Sequence, residues 1–343
     1  MWRGVTVGLL HPIAGTSQSK GRISGGPICS APVARSPRSL DVTVNASQHG
    51  LRQVAQHDLG GCGDGMQVMR AGDVVYVGHT GTSGAGTSIL DVRDPRRPVL
   101  VTQWQAPPNS HSHKVQVADG LLLVNHEKFP YREPALGPIS AGLAVYSLDD
   151  PLAPRQIGFW SSGGNGVHRV VWTGGRYAHM SVTPDGFRDR IWVVLDLSDP
   201  VHPVEAGRWW WPGQRNDEKP DWPPGERYAA HHALLDGDRA YLGFDDGGLV
   251  VLDVADVASP TMLAHLKWDG GATHTCLPLP ARRLVVATDE QQQNGPHAPQ
   301  RTIRVLDVSG EPQVVSVVPT PSGDYQGLPM RFGAHNLHEN RKG

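Results

Sequence analysis

Cysteine is scarce in this sequence. There are 3 among 343 residues, Cys29, Cys62 and Cys276, odd in number and far apart. That argues against a disulfide framework and against a CxxC metal site. An excess of one charge is also missing: the formal net charge is −2, and like charges never run in long blocks. Nucleic acid and anionic membrane surfaces are therefore excluded as main partners. No apolar run approaches the roughly 20 residues of a membrane-spanning helix. The opening MWRGVTVGLLHPIAG is a poor signal peptide, because His11 and Pro12 interrupt its apolar stretch. A cytoplasmic location is the expectation, with a secreted or periplasmic one left open. There is no G-x-S-x-G elbow, P-loop, HExxH or dinucleotide fingerprint. GTSGAGTS at 81–88 is glycine-rich but joins two strands, so it opens no helix on which a phosphate could sit. A hydrolytic triad assembled from distant segments stays open.

Turn formers, by contrast, are abundant. Gly (41) and Pro (29) stand against 38% hydrophobic residues, which suits many short strands better than long helices. Residues 1–45 are rich in Ser, Gly, Pro and Arg without periodicity, the signature of a disordered leader. From there a single domain, 46–343, is expected.

One pattern recurs five times: an apolar strand ending in an acid, a Pro-containing turn, and a second strand that often closes on Trp. The copies begin SILDVRDPRRPVLVTQW (88–104), GLAVYSLDDPLAPRQIGFW (142–160) and IWVVLDLSDPVHPVEAGRWW (191–210). Looser copies follow at 248–268 and 303–319. β-Branched alternation makes the strand, and the acid–Pro segment presets the turn. Asp91, Asp196, Asp253 and Asp307 are placed to accept backbone N–H groups of that turn, and the tryptophans to pack blade on blade. A second hairpin precedes each copy, so a unit of about 40 to 60 residues holds four antiparallel strands, the arithmetic of a propeller blade. The fold class expected is all-β: a β-propeller with five complete blades at about 60–105, 112–160, 167–211, 230–268 and 273–319. Residues 51–59 resemble an orphan outer strand, and 334–343 the opening of a further, partial blade.

These acid–Pro repeats resemble the LVIVD-repeat family. The resemblance implies seven blades, against which this chain looks C-terminally truncated, and it implies little about activity.

Histidines fall in register. His113, His168, His231 or His232, His274 and His335 all open the inner strand of a blade, and His79 and His126 end the neighbouring strand. A repeat fold needs no imidazole at the head of each inner strand for packing, and neutral imidazole is the commonest metal ligand. His113, His168, His232, His274 and His335 are therefore candidate metal ligands, with Fe or Cu favoured over Zn. Glu127 and Glu339 follow histidines on the same face and are candidates for orienting an imidazole or acting as general base. The arrangement is similar at fold level to the four-His iron centre of carotenoid-cleaving oxygenases and to the selenium-binding methanethiol oxidases. The aromatic insertion at 209–230 would suit an apolar or aromatic small substrate. The expected function is a metal-dependent oxidoreductase or oxygenase on a small organic molecule. The alternative is a non-catalytic scaffold for a protein partner or ligand, with a structural histidine ring.

Overall fold

The computed structural model describes residues 52–131, 135, 137–290, 302–319 and 334–337. The leader over 1–45 and Glu339 lie outside the described residues.

The described chain is almost entirely β-structure, folded as five four-stranded antiparallel blades. Blade 1 holds β1 (Gly65–Ala71), β2 (Val74–His79), β3 (Ala85–Asp91) and β4 (Val99–Gln105). In blade 2 the inner strand is broken into β5 (Ser110–His111) and β6 (Val115–Ala118). It continues with β7 (Leu121–Lys128), β8 (Gly142–Ser147) and β9 (Arg155–Ser161). Blade 3 is β10 (Gly166–Val171), β11 (Tyr177–Thr183), β12 (Ile191–Asp196) and β13 (Val204–Trp209). Blade 4 is β14 (His232–Asp236), β15 (Arg239–Gly243), β16 (Leu249–Asp253) and β17 (Thr261–Leu266). Blade 5 is β18 (Thr273–Leu279), β19 (Leu284–Asp289), β20 (Ile303–Asp307) and β21 (Gln313–Val318). Inner strands adjoin in chain order: β6 touches β1 and β10, and β14 touches β10 and β18. Residues 52–59 form no strand, against the expectation of an orphan outer one. His57 and Asp58 accept the N–H groups of Leu59 and Gly60, at 2.9 and 3.0 Å, and turn the chain instead.

The acid–Pro turns repeat one device. Asp91, Asp196, Asp253 and Asp307 each accept the N–H two residues on, at 2.8 to 3.0 Å. Such Asx turns satisfy the backbone where the chain reverses. The apolar core lies in the seams between consecutive blades. Blades 2 and 3 share one cluster around Leu143, Val170 and Met180, and blades 3 and 4 another around Trp192, Leu242 and Phe244. The strand-closing tryptophans belong to these seams: Trp104 stacks on Tyr146 at 4.6 Å, and Trp209 meets Phe244 at 5.6 Å.

Two glycines set how closely inner strands approach. A Cβ on Gly78 would lie 2.7 Å from the His113 backbone, and one on Gly243 would lie 2.5 Å from the His274 carbonyl oxygen. In blade 5 the matching residue is Thr288, whose hydroxyl donates to the His335 carbonyl at 2.7 Å. Residues 334–337 thus sit beside β19 where a sixth inner strand would run. Cys276 is free and buried in blade 5.

Candidate functional site

Three inner strands are irregular where their histidines stand, whereas β14 keeps regular register from His232 onward. β10 shifts register between Val167 and Arg169, and β18 between Thr273 and Thr275, so His168 and His274 are each the extra residue of a bulge. His113 occupies the gap between β5 and β6. A bulge releases one residue from strict alternation and re-aims its side chain.

The rings make a continuous arc. Centroids of His111 and His113 are 4.0 Å apart, His113 and His168 5.2 Å, His168 and His231 4.8 Å, His231 and His274 3.6 Å, and His274 and His335 4.2 Å. Glu127 stands between two of them, 3.0 Å from His111 Nε2 and 2.9 Å from His168 Nδ1. With Nδ1–H donating to that carboxylate, His168 directs a bare Nε2 at His231, and the two Nε2 atoms are 3.1 Å apart. His231 Nδ1 lies 3.4 Å from His232 Nδ1. Thr275 Oγ1 links His232 and His274 at 3.2 and 2.8 Å.

Asn125 fixes the tautomer of His113. Its Oδ1 accepts the Lys114 N–H at 2.7 Å, so its amide nitrogen donates, to Val167 O at 2.6 Å and to His113 Nδ1 at 3.2 Å. A neutral ring that accepts at Nδ1 carries its proton on Nε2. That Nε2–H is buried and has no hydrogen-bond partner.

Burial pushes His113, His168, His231 and His274 well below the usual imidazole range, and neighbouring imidazoles and arginines add to it. These rings are held neutral, the form in which a nitrogen lone pair is free. Burial, with help from Arg169, also holds the Lys114 ammonium well below its ordinary value.

The five expected ligands are not equivalent. His231, His232 and His274 place ring nitrogens within 4.8 Å of one another, and so do the groups of His111, His113 and Glu127 and of His274, Glu290 and His335. His168 bridges the first two groups. His113, with its proton on Nε2, offers a donor rather than a lone pair. His111 was missed, although SHSH at 110–113 signals it, since residues two apart share a strand face. His79 and His126 stand apart from the arc. His79 is clasped by Asp64 and Ser88, both at 2.7 Å, and His126 bonds Ser140 at 2.8 Å. The aromatic insertion packs on itself and on blade 4: Trp222 stacks on Tyr228 at 5.1 Å and Trp211 meets His265 at 4.7 Å. Trp209, Trp211, Trp222 and Tyr228 serve the seam between blades 3 and 4, Trp210 packs against Phe187, and none of these rings joins the histidine arc.

The repeats match a known model. Residues 169–209 and 230–266 fit the LVIVD repeat. The chain carries LVIVD repeats on a propeller of antiparallel blades. No curated protein matches its sequence. Among solved structures it is similar to a hypothetical selenium-binding protein from Sulfolobus tokodaii, with 13% identity over 74% of this chain and 66% of that one, TM-score 0.56. A Lactobacillus plantarum protein shows 17% identity over 73% and 69%, TM-score 0.54. The periplasmic gluconolactonase of Pseudomonas aeruginosa shows 16% over 73% and 69%, TM-score 0.51. At such identity the likeness is one of fold alone. The LVIVD propeller spans about two thirds of the length of these structures.

Proposed function

We propose that the histidine arc is a metal centre and that the protein is a metal-dependent oxidoreductase acting on a small organic substrate. His231, His232 and His274 would hold the ion with His168, and Glu127 orients His168 through its Nδ1–H, the usual outer partner of a ligating imidazole. The carrying observation is the 3.1 Å between His168 Nε2 and His231 Nε2. Two imidazoles bound to one ion at about 2.0–2.1 Å bring their nitrogens roughly 3 Å apart. Held neutral by burial, both rings carry the charge state that ligation needs, and only the His231 proton facing His168 has to leave Nε2 for the ion to bind there. An all-imidazole set suits Fe, Cu or Zn, and the oxidoreductase reading rests on Fe or Cu. When bound, such an ion supplies one-electron or O₂ chemistry, while the chain excludes water, orients the rings and keeps the His168 Nδ1 proton bonded to the Glu127 carboxylate.

Metal analysis of protein purified without chelator tests this. The expected result is about one Fe or Cu per chain, with occupancy falling more than about tenfold in a His231→Ala, His274→Ala double variant. Metal-free protein whose melting temperature the double variant leaves unchanged would favour the non-catalytic scaffold. Stoichiometric Zn would replace redox chemistry by hydrolysis.

A further inference from the structure

The carboxylates around the arc are already engaged. Glu127 faces His111 and His168, Glu290 lies 3.5 Å from His335, and Asp245 is shared by Arg190 and Arg227 at 3.4 and 2.9 Å. The donors are in surplus. His113 Nε2–H has no acceptor. Arg190, 5% exposed, pairs with Asp245 through a terminal nitrogen, while its buried Nε lies 3.8 Å from Asp189, too far for a hydrogen bond. Lys114, also 5% exposed, donates its backbone N–H to Asn125. Its side chain forms no ion pair or hydrogen bond among the described residues. A buried donor without an acceptor is costly, more so when charged, so two such donors beside the Lys114 side chain point to an absent acceptor. Lys114 directly follows His113 in the chain, and Arg190 lies beside the arc: its carbonyl accepts the N–H of Ala230, next to His231, at 2.9 Å, and its partner Asp245 bonds the backbone of Thr273, next to His274. A divalent ion bound there would add positive charge and strengthen the demand for an anion.

We propose that this centre takes a small oxyanion substrate, a carboxylate or a phosphate, received by Lys114, Arg190 and His113 Nε2–H. The inference names the substrate class of the same site and rests on the metal-centre reading. Lysine donates in either protonation state, so recognition does not require the ammonium in the empty site.

Calorimetric titration with benzoate, inorganic phosphate and neutral benzamide tests it, on protein as purified and after chelator treatment. Benzoate or phosphate, whichever matches the natural group, should bind about tenfold or more tightly than benzamide in both preparations. Lys114→Met should weaken that anion about tenfold or more, with melting temperature held or raised, and Lys114→Arg should restore it. Anions no tighter than benzamide overturn the proposal. So does a Lys114→Met variant that binds like the parent, including the case where the anion binds only metal-loaded protein. Metal occupancy is read separately, so a protein that holds metal but ignores anions sinks this inference and leaves the metal centre standing.

Discussion

The two ends of the blades use repeated polar residues in opposite ways. At the acid–Pro turns each aspartate serves its own turn: Asp253 accepts the N–H of Ala255 and does nothing for the next blade. At the axis each histidine meets the next blade's histidine, and one carboxylate, Glu127, serves rings from blades 2 and 3. Duplication of a local device yields independent copies, whereas duplication of an axial residue yields one composite object. Damage should therefore stay local at the rim and spread at the axis.

Acid should separate interior from rim. Burial pushes His126 and His179 down to about 4, below their unfolded value of about 6.5. A depressed imidazole stabilises the fold fully above the unfolded value, and the contribution is lost as pH falls from 6.5 toward 4. For His179, stacked on Trp192 at 5.6 Å, that amounts to about 3 kcal/mol by pH 4. Denaturant unfolding of His179→Phe should accordingly show a shallower loss between pH 6.5 and 4 than the parent. Parallel profiles for the two proteins would contradict the account. The rim acid Asp196 is held at about 2, chiefly by the hydrogen bond from Arg176. Its contribution is present above about 3.9 and fades only as pH falls toward 2, so the rim should titrate after the interior.

Gly243→Ala comes next in size. Its Cβ would meet the His274 carbonyl oxygen at 2.5 Å, and overpacking of this kind costs about 1–3 kcal/mol. It should also lower metal content while leaving every imidazole in place, measured by metal analysis beside thermal melting. Normal metal content in a destabilised variant would separate seam packing from the axial site. The smallest effect belongs to Asp253→Ala. Loss of one turn hydrogen bond should cost about 1 kcal/mol in urea unfolding and leave metal content untouched.

The fold was legible because it is written locally. IWVVLDLSDP declares a strand, its end and its turn within ten letters, and β12 with the Asp196–Ser198 bond is the outcome. That histidines open the inner strands was also legible, since it follows from register. Which nitrogen faces which was not. The bulges at His168 and His274 break the alternation on which sequence reasoning depends. The tautomer of His113 is set by Asn125, on the neighbouring strand. Register points to one imidazole per inner strand: it does not find His111, and it offers His231 and His232 as alternatives where the structure brings both to the arc. The aromatic residues of the insertion at 209–230 suggest a substrate surface, yet Trp211 and Tyr228 pack into a seam.

The distance in sequence between His111 and His335 also carries a kinetic consequence. Contacts between residues so far apart in the chain form late, because the closure of long loops must precede them. Hairpins such as β2–β3 can pair as soon as their own residues are available, but the arc needs four blades and the 334–337 segment together. Uptake of an ion at the axis would then mark the last step of folding. A stalled or mispaired propeller would be recognisable by its failure to take up metal, even with most of its strands formed.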